Sequence, residues 1–170
     1  SSVARAVFEE ADNALGFPLS RLCFEGPEDD LRQTVNAQPA IMTVSVACLR
    51  AAIGEGLIDA STPLFVAGHS LGEYSALVAA RVLGFSEAVR LVRERGRLMQ
   101  YASAVRPGAM AAVMGLDEST LEEVCQQTGT QMANINSAEQ IVISGPRDGV
   151  ARALDLARAR GARKAIPLDV

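Results

Sequence analysis

The chain has 170 residues, 49% of them hydrophobic and 21% charged, with a formal net charge of −4. Those proportions describe a folded core rather than a disordered chain, long enough for one medium domain or two small ones. Aromatic residues make up 4% and tryptophan is absent, which with the acidic balance excludes a nucleic-acid binder built on base stacking.

Cys23, Cys48 and Cys125 are odd in number and lack C-x-x-C spacing, so reduced thiols and a cytoplasmic location are expected. With a single histidine, His69, no zinc site is expected. Ser1 to Ala14 is amphipathic and lacks the layout of a secretory signal. Pro39-Ala40 opens an apolar helix expected over Ile41 to Ile58, with proline in its first turn. The longest apolar stretch, Ile41 to Leu57, carries Arg50 and Glu55, so it is expected to fall short of a bilayer span and no membrane partner is expected. Ser61-Thr62-Pro63 then breaks the chain. Leu64-Phe65-Val66-Ala67-Gly68 is a continuous apolar run, expected as a strand buried on both faces of a parallel sheet. Helices are expected from Gly72 to Val82 and from Phe85 to Ala102 or Ser103; strand followed by helices is the α/β pattern.

After Arg106-Pro107-Gly108 the texture changes, and a domain boundary is expected near Pro107, dividing residues 1–107 from 108–170. Ala109 to Leu116 reads as a strand, and Asp117-Glu118-Ser119-Thr120 caps a helix that ends at Gly129. Gln131 to Asn136 and Gln140 to Ser144 read as paired strands. A helix opened by Pro146-Arg147-Asp148 ends at Gly161, before a final strand from Arg163 to Leu168. The order β-α-β-β-α-β is that of a split βαβ, or ferredoxin-like, arrangement. Residues 147–170 hold six basic and three acidic side chains, against ten and seventeen in residues 1–146.

Gly68-His69-Ser70-Leu71-Gly72 is a G-x-S-x-G run between an expected strand and an expected helix. In a nucleophile elbow the turn is so tight that the serine stands at its tip, and the glycines avoid collision with neighbouring backbone. Ser70 is therefore the candidate nucleophile, and the Leu71 N–H, at the helix start, the candidate donor to an oxyanion. Arg95 falls in a stripe of Ala88, Leu91, Val92, Leu98, Met99 and Ala102 at helical spacing. A guanidinium on such a face needs an internal carboxylate, a route out to water, or an anionic ligand. Met99, Met110 and Met114 read as core.

The run Gly68 to Tyr74, continued by Ser75-Ala76-Leu77-Val78, resembles the active-site signature of malonyl-CoA:acyl-carrier-protein transacylases, much of which polyketide synthase acyltransferase domains share. Gln38-Pro39-Ala40, Arg95 to Gln100, Gly108 to Ala112, Asn134 to Ser137 and Gln140 to Gly145 are similar too, so the resemblance covers nearly the whole chain. It implies a partial α/β-hydrolase-like core joined to a ferredoxin-like subdomain. It implies malonyl transfer from malonyl-CoA to the phosphopantetheine thiol of acyl carrier protein through an ester on Ser70, with no metal or redox cofactor. Arg95 would grip the malonyl carboxylate, Gln38 would face the site, and His69 would line it. Consecutive residues at a strand end point in opposite directions, so His69 is not expected to be the base. The family's base is a histidine further along, and its N-terminal Gly-Gln-Gly-Ser-Gln loop has no counterpart here, so a fragment of a longer enzyme is expected. The basic stretch Arg147 to Lys164 is either a solvated helix face or a docking surface for an acidic carrier protein. Two rivals remain: a serine esterase or thioesterase, with water as acceptor, and a binding module that keeps the elbow without catalysis.

Overall fold

The computed structural model describes residues 1–59, 61, 63 and 65–168. They form α1 (Ser2–Leu15), α2 (Leu19–Glu25), α3 (Glu28–Arg32), α4 (Thr34–Gly54), α5 (Gly72–Ala79) and α6 (Phe85–Val105). There follow β1 (Gly108–Met114), α7 (Glu118–Thr128), β2 (Gln131–Ser137), β3 (Gln140–Pro146), α8 (Arg147–Ala159) and β4 (Lys164–Leu168). The chain divides into two compact units, Ser1–Tyr101 and Ala102–Val170.

The first unit is helical. α1 buries Val7 and Ala11 and stops at Gly16, whose φ of 69° is the left-handed turn that ends many helices. α4 packs against α1, α2, α3 and α5 and contributes Met42, Val46 and Ala47 to the shared core. Glu10 of α1 ties the bundle together by accepting from Arg50 of α4 at 2.8 Å and from Ser86 of α6 at 2.8 Å. Partial burial pushes the Glu10 carboxyl up, but these two donors outweigh it and hold the group below the usual carboxylate range.

The expected helix 41–58 instead starts at Thr34 and ends at Gly54, with Pro39 inside it. Proline removes one backbone donor, and here that single loss does not set the boundary, because Gln38, Pro39 and Ala40 are all buried. The longer helix also corrects the expectation about span: at 21 residues α4 is long and apolar enough to cross a membrane by length and composition alone. Its inward side packs in the unit's core, as a core helix does.

The expected strand Leu64–Gly68 is not observed. Leu64 lies outside the described residues, and 65–68 carry no strand, with Phe65 91% exposed. Extended backbone becomes a strand only when a neighbour takes its N–H and C=O groups, and no strand occurs among the described residues of this unit.

The buried seam of α6 is Phe85, Ala88, Val89, Val92 and Gly96. This differs from the expected stripe: Leu91, Leu98 and Met99 are exposed, at 48%, 51% and 46%. The helix is turned so that Val89 and Gly96 face inward, which moves Arg95 from the middle of the buried face to its edge.

The second unit is a four-stranded antiparallel sheet in the order β2-β3-β1-β4, with α7 and α8 in the connections. Ala111 and Val113 of β1 and Ile141 and Ile143 of β3 meet Leu121 and Val124 of α7 and Val150 and Leu154 of α8 in one core. Asp117 caps α7, its side chain accepting from the Thr120 N–H at 2.9 Å. Bonds from Ser119 and then from the Thr120 N–H and hydroxyl hold the Asp117 carboxyl far below its ordinary value. Gly129 closes α7 at φ 70°.

Candidate active site

Ser70 stands in a turn between residues 65–68, which form no regular element, and α5. Its φ of 53° is the left-handed region, uncommon for a residue with a side chain. The turn closes on itself: the Gly72 N–H donates to the His69 carbonyl at 2.8 Å, and the Glu73 N–H to the Ser70 carbonyl at 3.2 Å. Gly68 is obligatory here, since a Cβ would lie 2.0 Å from the Gly72 carbonyl carbon and 2.6 Å from the Glu73 nitrogen. Gly72 differs from expectation, because a Cβ there meets nothing within 4 Å. The neighbouring strand or helix backbone expected to collide with a side chain there does not come that near among the described residues.

Leu71 is helical (φ −54°, ψ −35°), precedes α5 and is buried. Its N–H donates to no acceptor among the described residues, so it is open to an oxygen beside Ser70. His69 is exposed and fastens the turn through its carbonyl.

Three of the residues marked by the sequence meet through hydrogen bonds. The Arg95 guanidinium donates through Nη2 to Ser70 Oγ at 3.0 Å and through Nη1 to Gln38 Oε1 at 2.5 Å. The Arg95 Cζ also lies 5.9 Å from the centre of the Tyr74 ring, at cation–π range. Among the described residues no carboxylate comes within 4.0 Å of Arg95, whereas Arg97, two residues on, pairs with Glu94 at 2.6 Å. The positive charge at Ser70 is thus held by a neutral amide and a hydroxyl. Gln38 is 6% exposed, and its Nε2 donates to Thr34 Oγ1 at 2.9 Å and to Met99 Sδ at 3.3 Å.

Sequence reasoning did not give roles to Thr34, Tyr74 or Gly96, and it placed Met99 in the core. Gly96 permits the meeting of α6 and α4: a Cβ there would sit 2.6 Å from the Thr34 carbonyl oxygen and 2.8 Å from the Val35 Cα. A glycine in the middle of a long helix is the signal that could have found it, because such a residue costs helix stability and usually has a packing reason. Two surface clefts of the first unit, about 430 and 320 Å3, lie elsewhere, one beside Glu10 and Arg90, the other beside Phe17 and Arg93. Among the described residues no group of three or more His, Cys, Asp or Glu side chains could hold a metal ion.

The arrangement can present, at one turn, a nucleophilic hydroxyl, a donor for developing oxyanion charge, and a cation that has no counter-anion among the described residues. Comparison with known proteins gives this a family context. The model of a family described as acyl transferase domain matches residues 1–170. Malonyl CoA-acyl carrier protein transacylase of Bacillus subtilis (strain 168) is 48% identical over 172 residues, covering 98% of this chain and 53% of that protein. The crystal structure of acyl-carrier-protein-S-malonyltransferase from Bartonella henselae superposes with a TM-score of 0.93 at 48% identity, over 100% of this chain and 55% of that one. A malonyl-transacylase solved in complex with its type II polyketide synthase acyl-carrier protein gives a TM-score of 0.92 at 41% identity, again over 100% of this chain and 55% of that one. The chain spans about half the length of the curated relatives it matches.

Proposed function

Because the chain belongs to the acyl transferase domain family, we propose that it carries the nucleophile and the acyl-carboxylate grip of an acyl-carrier-protein S-malonyltransferase. Ser70 Oγ attacks the thioester carbonyl of malonyl-CoA, and the Leu71 N–H donates to the oxyanion of the tetrahedral intermediate. The C–S bond breaks, coenzyme A leaves as its thiol, and malonyl stays as an ester on Ser70. The phosphopantetheine thiol of acyl carrier protein then attacks that ester, and Ser70 recovers its hydroxyl proton. The general base in both halves is a histidine other than His69, outside these 170 residues. His69 lines the site, and Gln38 faces it from α4. The chemistry uses no metal or redox cofactor.

The single observation behind this reading is the Arg95 guanidinium, 3.0 Å from Ser70 Oγ and without a carboxylate partner among the described residues. Arginine offers a planar fork that matches a carboxylate with two parallel bonds. Nη2 donates to the Ser70 oxygen; a malonyl carboxylate would draw it away and leave that oxygen free to attack. An acetyl group offers no such exchange and leaves the cation unpaired, so uncharged acyl groups are disfavoured.

The acceptor we assign is acyl carrier protein, and the surface we assign to it is the basic stretch from Arg147 to Lys164. Four of its arginines are paired within the chain: Arg152 with Asp148, Arg158 with Asp155, Arg160 with Glu123 and Arg163 with Glu139. Such surface pairs are weak and can be exchanged for an acidic partner. The fold reading that goes with this function treats residues 1–107 as part of an α/β-hydrolase-like core and 108–170 as a ferredoxin-like subdomain, for which the β-α-β-β-α-β order is the support. A cytoplasmic location suits a coenzyme A thioester and three free cysteines.

Intact mass after incubation with malonyl-CoA tests the reading in the full-length protein. One added malonyl group, lost in Ser70→Ala and passed on when holo acyl carrier protein is added, is the expected result. Release of coenzyme A with no label and no dependence on carrier protein would make it a thioesterase. A polyketide synthase acyltransferase is the second reading, favoured by the polyketide carrier bound to one structural neighbour; transfer to a polyketide carrier in preference to a fatty-acid carrier would select it.

A further inference from the structure

The selectivity proposed above depends on where the Arg95 guanidinium points, and the groups that aim it stand one residue back from the substrate. We propose that Thr34 and Met99 are positioning residues that fix the Gln38 amide with its oxygen, and not its nitrogen, toward Arg95. This inference rests on the transferase reading for its functional consequence, but its structural half stands separately.

A glutamine amide is nearly symmetric in shape, and a half-turn exchanges its acceptor oxygen for its donor nitrogen. Arginine has donors only. A flipped amide would set N–H groups against the guanidinium and leave Nη1 without its acceptor. Gln38 is 6% exposed, so water cannot repair that loss. The groups that anchor and orient the amide lie on its other side. Nε2 donates to Thr34 Oγ1 at 2.9 Å and to Met99 Sδ at 3.3 Å. A thioether sulfur accepts and never donates, so Met99 selects nitrogen over oxygen at that edge, while the Thr34 hydroxyl, which can accept or donate, anchors the amide in place with the stronger bond.

The result is a connected chain in which donation runs outward from Arg95 on α6. One branch passes to Gln38 and on to Thr34, the first residue of α4 and one turn before Gln38, and the other ends at Ser70 Oγ. The chain is neutral apart from the guanidinium. Arg95 is therefore oriented without being neutralised, which is what a receptor for an anionic acyl group needs.

The test uses Thr34→Val, which keeps the shape and removes the acceptor, Thr34→Ser, which keeps the acceptor, and Met99→Leu. Steady-state kinetics of the full-length protein with malonyl-CoA and acetyl-CoA are combined with side-chain nitrogen NMR of Arg95. In the wild type and in Thr34→Ser, fixed hydrogen bonds slow rotation of the Arg95 Nη groups and separate their signals. In Thr34→Val the signals merge, and KM for malonyl-CoA rises about fivefold to tenfold, the worth of one hydrogen bond between neutral groups, while that for acetyl-CoA moves much less. Met99→Leu gives a smaller shift in the same direction. Unchanged Arg95 signals in Thr34→Val overturn the proposal. So does an equal rise for both substrates that Thr34→Ser fails to reverse, because that pattern belongs to packing alone. If Arg95→Ala leaves the malonyl preference intact, the transferase reading fails, and the NMR comparison still decides whether Thr34 aims Arg95.

Discussion

A guanidinium held by an amide behaves differently from one held by a carboxylate, and residue 38 decides which case applies. Gln38→Glu would hold Arg95 in the same place at the same distance but cancel its charge. The expected outcome is a loss of about tenfold in kcat/KM for malonyl-CoA relative to acetyl-CoA, since an unpaired cation is what the carboxylate gains by binding, with the melting temperature held or raised. A ratio unchanged by Gln38→Glu would mean that the charge at Arg95 is not what selects the acyl group. At this scale much of the site was legible in the sequence. Gly68 to Gly72 marked Ser70 by spacing, and Arg95 stood out as a charge among apolar positions. Thr34 and Met99 were hidden for separate reasons. Thr34 lies ahead of a proline that reads as a helix start, and Met99 is an apolar side chain whose contribution here is a lone pair on sulfur.

Elements meet where side chains are absent as well as where they fit. α6 approaches the start of α4 at Gly96, with room for no Cβ between the chains. Alanine is the better helix former by about 1 kcal/mol, so an exposed Gly96→Ala would stabilise α6. Here the added methyl group meets backbone, and Gly96→Ala is expected to destabilise by about 1–3 kcal/mol, as overpacking does. It should also lengthen the Arg95–Gln38 contact and raise the malonyl-CoA KM together with the fall in melting temperature. A variant that melts higher than the parent would show that α6 can shift freely at this crossing. Helical periodicity alone could not rank Gly96 as an inward position, and it turned the α6 seam toward Leu91, Leu98 and Met99 instead. The elements from Asp117 to Gly129 were easier to read, because a capping carboxylate and a left-handed glycine mark ends by local chemistry that needs no partner.

Across the whole molecule the two units differ in how far each closes its own core. Of the eighteen large hydrophobic side chains exposed among the described residues, fourteen belong to Ser1–Tyr101, including Ile41, Val44 and Phe65. In the second unit all four strands are paired in one sheet, with two helices burying a common core. A polypeptide of residues 102–170 is therefore expected to fold alone with weak binding of a hydrophobic dye, and one of residues 1–101 to bind it strongly. Equal dye binding by the two would refute the asymmetry. The same contrast explains which parts of the fold the sequence conveyed. β1 to β4 pair with one another within about sixty residues, so turn signals and alternation carry their arrangement. The apolar run 64–68 has the composition of a buried strand, but a strand is a relation between segments, and composition states only one side of it.

Ser70 holds a backbone conformation that glycine would occupy with less strain, by roughly 1–2 kcal/mol. The turn therefore sets stability against chemistry at a single atom group: the residue best suited to the backbone has no hydroxyl, and the residue with the hydroxyl keeps the backbone in tension. On the proposed role of Ser70, Ser70→Gly would relax this turn and remove the nucleophile together. A serine at φ 53°, two residues after a glycine that tolerates no Cβ, thus keeps its hydroxyl in place at the expense of an unrelaxed backbone.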